Sequence, residues 1–372
     1  SHRKDYRMTH LHTIKTSLLL ALQMSMLCCC TNTAQADDKK NLIDSVVGEE
    51  IIASDNGKIK RIVSYNVENL FDTKDDPDKL DDDFTPFGSY HWTREKYERK
   101  QQRISKVIAT IGEGNPPMLV AMMEVENDYV LKGLTEYSPL KNLRYKYIHK
   151  ESPDARGIDV ALLYQPKEFE PIRTDFINVS SEHFKTRDIL YVKGRLENNT
   201  IVNVFVVHLP SRRGGQEVSE WKRIKVAEIL RSEVDKLFEE DAKANIIIMG
   251  DFNDYPDNRS VKDVLKASKP GKEIRSDALY NLFAKTQEIG KEGSHKQGKE
   301  WGMLDQIIVS GSLLDQNAAA HAVKNSGNIF KRDFLLFESS QGVKPNRMYN
   351  GFKYNESGYS DHLPVFFDII EK

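Results

Sequence analysis

The chain has 372 residues, 30% of them charged and 39% hydrophobic, a balance that excludes both a disordered polymer and a largely membrane-embedded protein. Its formal net charge is −2 at pH 7, so nucleic acid cannot be gripped by overall basicity and any such contact must be local. All three cysteines sit together at Cys28, Cys29 and Cys30, which leaves the rest of the chain without disulfides, thiol nucleophiles or cysteine metal sites.

The start of the chain reads as a targeting segment. Arg3, Lys4, Arg7 and Lys15 precede the apolar stretch Leu18 to Leu27, and Ala34-Gln35-Ala36 stands before Asp37-Asp38. Basic region, apolar region and small-residue cleavage site in that order make residues 1–36 an expected export signal. Leu27-Cys28 also resembles a bacterial lipoprotein cleavage site. A soluble periplasmic or extracellular product and an outer-surface lipoprotein, attached to the membrane by a lipid anchor, stand level. Without this segment 50 Lys and Arg face 55 Asp and Glu, a net of −5. Residues 37–57 are polar and read as a tether. No Pro/Gly-rich linker divides the remainder of the chain, so residues 58–372 are expected to form one domain, and a monomer.

From residue 58 onward strands and helices alternate. Ile59 to Val67 and Met118 to Met123 read as buried strands, with a helix from Arg94 to Ile111 between them; Tyr97, Ile104, Val107, Ile108 and Ile111 form its apolar stripe. Strands are expected over Ile158 to Tyr164, Ile189 to Leu196 and Ile201 to Val207, the last two joined by the turn Glu197-Asn-Asn-Thr. A long helix comes next, Gln216 to Glu240, with Val218, Trp221, Ile224, Ala227, Leu230, Val234 and Leu237 as its expected buried face. The β-branched run of Asn245-Ile-Ile-Ile-Met-Gly-Asp251-Phe-Asn253-Asp254 reads as a strand in the middle of a sheet. Two further strands are expected at Leu304 to Val309 and Leu363 to Ile370. Strands that both alternate with helices and pair as hairpins point to a mixed α/β fold with helices outside.

Polar residues stand at the ends of these strands. Asn66 and Glu68 lie at strand spacing in Ser64-Tyr-Asn-Val-Glu68; Glu124 follows Met122-Met123; His208 follows Val206-Val207; Asp305 and Asp361-His362 precede strands. Asp251 and Asn253, two apart, would share one side of an extended chain and converge on a strand end, where open α/β sheets bind ligands. Each segment alone has a plainer account, as a turn, a helix start or a satisfied imidazole. All six together are poorly explained that way.

Gly250-Asp251-Phe-Asn253 and Ser360-Asp361-His362, with the other segments, resemble the endonuclease/exonuclease/phosphatase superfamily of metal-dependent phosphoesterases, over residues 59–370. The resemblance implies a four-layered α/β sandwich, with two mixed sheets face to face and helices outside. It implies hydrolysis of a phosphodiester by in-line attack of activated water. Glu124 would be the principal metal ligand, with Asn66, Glu68 and Asp361 beside it. Hard oxygen donors suit Mg²⁺ or Mn²⁺, with Ca²⁺ as a structural ion. Asp251 and Asn253 would orient and deprotonate water. His362 would act on the phosphate, its tautomer held by Asp305, while His208 would serve the leaving oxygen or the phosphoryl group. Arg187 would contact phosphate. Asp251 and His362 both remain candidates for the base.

Three loops bear on substrate. Residues 72–83 hold seven aspartates and read as a solvated acidic loop rather than a calcium site. Arg212 and Arg213 follow His208 and could embrace a phosphate. The stretch from Lys285 to Trp301, with His295, either contacts substrate or covers Asp305. A nuclease is the first expectation, from Gly-Asp-Phe-Asn-Asp. A sphingomyelinase-like or small-molecule phosphoesterase is the second, and a surface binding lipoprotein without chemistry the third.

Overall fold

A computed structural model of the protein describes residues 57–372. The expected export signal, with Cys28 to Cys30, and all of the tether but Gly57 lie outside the described residues. In chain order the elements begin with β1 (Lys58–Leu70), helix α1 (Arg94–Ile111), β2 (Leu119–Val125), β3 (Lys146–His149) and β4 (Asp159–Tyr164). Next come β5 (Phe169–Ile177), β6 (Ile189–Leu196), β7 (Ile201–His208), helix α2 (Gln216–Glu240) and β8 (Ile246–Asp251). Shorter pieces succeed them: β9 (Ala267–Ser268), β10 (Leu279–Asn281), β11 (His295–Gln297), β12 (Glu300–Gly302), β13 (Asp305–Ser310), β14 (Ala320–Ala322) and β15 (Asn328–Ile329). Two hairpins, β16 (Leu336–Ser339) with β17 (Gly342–Pro345) and β18 (Tyr349–Asn350) with β19 (Lys353–Tyr354), precede the closing strand β20 (Val365–Glu371).

Two seven-stranded sheets result, ordered β14-β20-β1-β2-β4-β3 with β15 on β20, and β5-β6-β7-β8-β13-β10-β9. Both are mixed, and the second carries an extra parallel pair, β9/β10, at its edge. A central parallel pair, β1/β2 or β7/β8, is flanked by antiparallel neighbours. Period-two alternation gives every central strand two buried faces. Ile62, Leu119, Ala121 and Met123 of the first sheet pack against Val204, Val206, Ile247, Met249 and Ile307 of the second, so the sheets lie face to face. The opposite row of β1, Val63, Tyr65 and Val67, packs on Ile104, Val107 and Ile108 of α1. Phe205, Val207, Ile246 and Ile248 pack on Val226, Leu230 and Val234 of α2. Helix, sheet, sheet, helix is the expected four-layered sandwich.

The α1 stripe is buried as its spacing predicts. Thr93 caps that helix, accepting from the Lys96 amide. The expected face of α2 needs correction at its first turns: Val218 is 71% and Trp221 47% exposed. The helix is rotated there because Ser219 and Arg223 take the inward positions. The fully buried Arg223 places Nε 2.8 Å from Asp254 Oδ1, a charge pair that outranks the exposure of two apolar side chains. Strands β3 and β5 were not expected. β5 is an edge strand whose register slips between Pro171 and Arg173, and proline at an edge removes no ladder bond. No helix among the described residues is long and apolar enough to cross a membrane.

Candidate active site

The inward apolar rows of four strands each end in a polar residue at the same edge of the sandwich. On β1 the row runs Ile62, Ser64, Asn66; on β7 it runs Val202, Val204, Val206, His208; on β8 it runs Ile247, Met249, Asp251. β13 is antiparallel to β8 and sets Asp305 opposite Asp251, so its row Val309, Ile307 reaches that edge from the other direction. Period-two alternation alone carries Asn66, His208, Asp251 and Asp305 to one volume.

Glu124 arrives by a different route. On β2, Val120 and Met122 face the α1 layer, and strict alternation would send Glu124 there too. Instead it adopts a left-handed φ of 66°, and the ladder slips between Met123 and Val125. Such a bulge re-aims a side chain. The carboxylate turns inward, with Oε2 accepting the Asn69 amide at 2.9 Å and Oε1 3.4 Å from Asn66 Nδ2. Gly250 is required for the same edge to close. At φ +149° a Cβ would stand 1.8 Å from the Val207 carbonyl oxygen on the strand that carries His208.

Asp251 is the hub. Its Oδ2 accepts from Asn66 Nδ2 at 3.0 Å and lies 3.5 Å from His208 Nε2 and 3.8 Å from His362 Nε2. Its Oδ1 accepts the Asn253 amide at 2.8 Å. Burial lifts Asp251 to about 7 against the pull of His362. His362 Nδ1 sits 2.6 Å from Asp305 Oδ2. An ionised carboxylate has no proton to give, so the imidazole donates, which fixes its tautomer. Burial disfavours the imidazolium, yet Asp305 and Asp251 outweigh it and hold His362 well above its ordinary value. His208 goes the other way: burial, then Arg187 and Arg156, push it well below, and its Nδ1 is buried without a hydrogen-bond partner among the described residues. The two histidines are thus held in opposite charge states.

The remaining expected residues divide. Asp361 stands beside His362, its Oδ1 3.9 Å from Nε2. Burial raises it, but His362 and Arg347 outweigh that and hold it below the ordinary carboxylate range. Glu68 is buried but turned away from Glu124. Its left-handed backbone directs the carboxylate to the Met348 amide at 2.9 Å and Arg347 at 3.2 Å, and burial with Asp361 nearby lifts it to about 7. Asn253 does reach Asp251, though not by strand spacing. It lies past the end of β8 with φ 48°, and its amide closes back on the carboxylate as in an Asx turn.

The arginine expectations need revision. Arg187 is buried, with its nitrogens on Asp154, the His208 carbonyl and the Leu209 carbonyl, so it braces the His208 strand end instead of facing a ligand. Arg212 stacks over Tyr255 at 4.1 Å and bonds the Asn253 carbonyl and Asn258, holding the loop after β8. Arg213 is exposed with no side-chain bond among the described residues. In the acidic loop, Asp72 and Asp81 are buried, contrary to a solvated reading, because they cap backbone amides of the loop itself.

Two cations stand where the sequence signals none. Arg156, in the turn before β4, bonds Asn69 Oδ1 at 2.5 Å and reaches within 3.9 Å of Glu124. Arg347, from the segment between two hairpins, bridges Glu68 at 3.2 Å and Asp361 at 3.4 Å. Both are under half exposed, and neither belongs to a motif. Behind them the fully buried Lys100 of α1 donates to the Tyr359 carbonyl at 2.6 Å; burial pulls it down to about 8 although Glu68 and Asp361 oppose that. Two groups among the described residues bring three ligand atoms within 4.8 Å of one another: Asp251 with Asp305 and His362, and Asp361 with His362 and His295. Neither includes a residue of the acidic loop. Glu124 belongs to neither, but its carboxylate is oriented by N–H donors with no cation closer than Arg156, an open hard-oxygen site of the kind Mg²⁺ or Mn²⁺ takes.

The sequence profile of the Endonuclease/Exonuclease/phosphatase family matches residues 61–372. No curated protein matches the chain. Among solved structures, an endonuclease/exonuclease/phosphatase family protein of Bacteroides thetaiotaomicron superposes with TM-score 0.52 at 14% identity, over 85% of this chain and 99% of its own. Humanized D. rerio TDP2 gives TM-score 0.52 at 13% identity, over 84% and 98%. A mannosyl-6-phosphatase of Bacteroides thetaiotaomicron gives 0.50 at 14%, over 83% and 99%. At such identities the likeness is one of fold.

Proposed function

Because the chain belongs to the endonuclease/exonuclease/phosphatase family and is a hydrolase of phosphoester bonds, we propose that it cleaves phosphodiesters as an exported, metal-dependent nuclease. The observation that carries the chemistry is the convergence of Asp251, His208, Asn66 and the Asp305–His362 pair on one buried edge, beside the open carboxylate of Glu124.

Asp251 is the proton acceptor: His362 already carries its proton, whereas a carboxylate lifted to about 7 is poised to take one from water. Asn253 and Asn66 hold that carboxylate in place. His362, as an imidazolium, offers Nε2–H to a phosphoryl oxygen. Asp305 stabilises that charge through the 2.6 Å contact. Arg156 and Arg347 at the rim take the phosphate-binding part first expected of Arg187. Glu124 would hold the divalent ion, which supplies Lewis-acid stabilisation of the phosphoryl and leaving oxygens, while Asn66, whose Nδ2 faces the carboxylates and whose Oδ1 accepts the Glu68 amide, orients them.

One observation favours a smaller substrate. Arg347, bridging Glu68 and Asp361, and Arg156 beside Glu124 are two cations at the site, which suits a single phosphate group better than a long polyanion. The test is hydrolysis by the full chain with Mg²⁺ or Mn²⁺ against EDTA. Substrates are plasmid DNA, RNA, bis-p-nitrophenyl phosphate, p-nitrophenyl phosphate and sphingomyelin, with Asp251→Ala as the contamination control. Chelator-sensitive cutting of nucleic acid, absent in the variant, supports the nuclease. Turnover confined to small esters or lipid replaces it with the second reading. Activity that survives in Asp251→Ala overturns both.

A further inference from the structure

His295 lies outside the catalytic set, yet the fold holds it rigidly against that set. β11 pairs with β12 as a hairpin, and His295 forms an antiparallel bridge with His362. Bridge partners sit directly opposite and project to the same side. The two rings accordingly lie with centroids 4.9 Å apart. The neighbouring Ser294 is tied down as well. It accepts the Leu363 amide on its carbonyl at 2.7 Å and the Asp305 amide on its hydroxyl at 3.0 Å. The His295 imidazole makes no hydrogen bond to any described residue, although it is half-buried. A rigidly placed, unbonded imidazole is an unused donor.

From this geometry we propose that His295, Asp361 and His362 form a second metal subsite, of the borderline class that binds Zn²⁺, distinct from the hard-oxygen site at Glu124. One ligand atom from each residue lies within 4.8 Å of the other two, so small side-chain rotations bring all three to the about 2.0–2.2 Å that zinc requires. His362 already has the supporting arrangement of a metal-ligating histidine. Its Nδ1 donates to Asp305 at 2.6 Å, so zinc takes the place of the proton on Nε2, which is released to solvent, on the side where Asp361 stands. Two imidazoles and one carboxylate select zinc over magnesium, which prefers oxygen and keeps its waters. A filled subsite engages the same Nε2 that hydrolysis needs, so it competes with turnover.

The test is calorimetric titration of Zn²⁺ into the full chain in excess Mg²⁺, with Cys28, Cys29 and Cys30 each changed to Ser so that no thiol competes. The expected result is one zinc equivalent that magnesium does not displace. His295→Ala should weaken it by roughly tenfold or more, and His295→Cys should recover much of the affinity. Glu124→Gln should leave zinc binding unchanged, which separates the two sites. No turnover is read, so an error in the proposed substrate does not bear on the outcome. Equal zinc affinity in the parent and His295→Ala, with both folded by circular dichroism, overturns the proposal, as does the absence of any zinc equivalent.

Discussion

Asn66 of the first sheet donates to Asp251 of the second over 3.0 Å, with Glu124 3.4 Å from the same amide nitrogen. One carboxamide therefore joins the acidic groups of both sheets, and it tunes the proton affinity of Asp251. The ionised form of Asp251 is the proton acceptor, so turnover should rise as pH climbs through its value near 7 and fade below it. A hydrogen bond donated to a carboxylate favours the ionised form and lowers its pKa. Asn66→Ala should accordingly move the acid limb of kcat/KM to higher pH and lower its plateau. An acid limb that stays in place, measured in the same metal concentration, counts against Asp251 as the base.

Asp305→Asn should lower kcat by roughly 10²–10⁴-fold while leaving the fold intact. The amide can donate to His362 Nδ1, which removes both the tautomer control and the negative charge now 2.6 Å away. The His362 proton should also be lost at lower pH, as read by NMR titration of the imidazole. An unchanged His362 titration would show that Asp251 and Asp361 alone hold the charge.

Arg156 and Arg187 should separate by phenotype. Arg156→Ala removes a cation that is 42% exposed at the site and should cut kcat/KM with unchanged stability. Arg187→Ala strands the buried Asp154 carboxylate, and breaking such a pair costs about 3–5 kcal/mol. Chemical denaturation alongside steady-state kinetics distinguishes the two. A stable Arg187→Ala enzyme with a purely catalytic defect would return the phosphate role to that residue.

Gly250→Ala should destabilise the protein by ~3 kcal/mol or more, since its Cβ would fall 1.8 Å from a backbone oxygen that cannot rotate away. Any folded fraction should be inactive, because β7 and β8 cannot keep His208 and Asp251 in register. Denaturation midpoints and residual activity measured on the same samples check this.

The layers and most of the site were legible because both arise from strand alternation. Val202, Val204 and Val206 predict where His208 points, and Ile247 and Met249 do the same for Asp251. What was not legible depends on departures from regular backbone or on distant partners. Glu124 and Glu68 stand in neighbouring strands, but left-handed kinks send their carboxylates to different places. Arg187 looks like a ligand-facing arginine in Thr186-Arg187-Asp188 until Asp154, 33 residues earlier, is seen to claim it. Arg347 comes from irregular sequence with no periodicity to read. The α2 face departs from its helical period because a buried ion pair, Arg223 with Asp254, takes the inward positions in place of apolar residues.

The opposed sheets have a consequence for how this enzyme can fail. Asn66 and Glu124 belong to one slab and His208, Asp251 and Asp305 to the other, so no fragment carrying a single slab owns a working site. Loosening along the apolar seam between them should separate the reacting groups before either slab melts. Turnover is thus a gauge of how well the halves are mated, and gentle heating should silence the enzyme ahead of any loss of helix or strand signal.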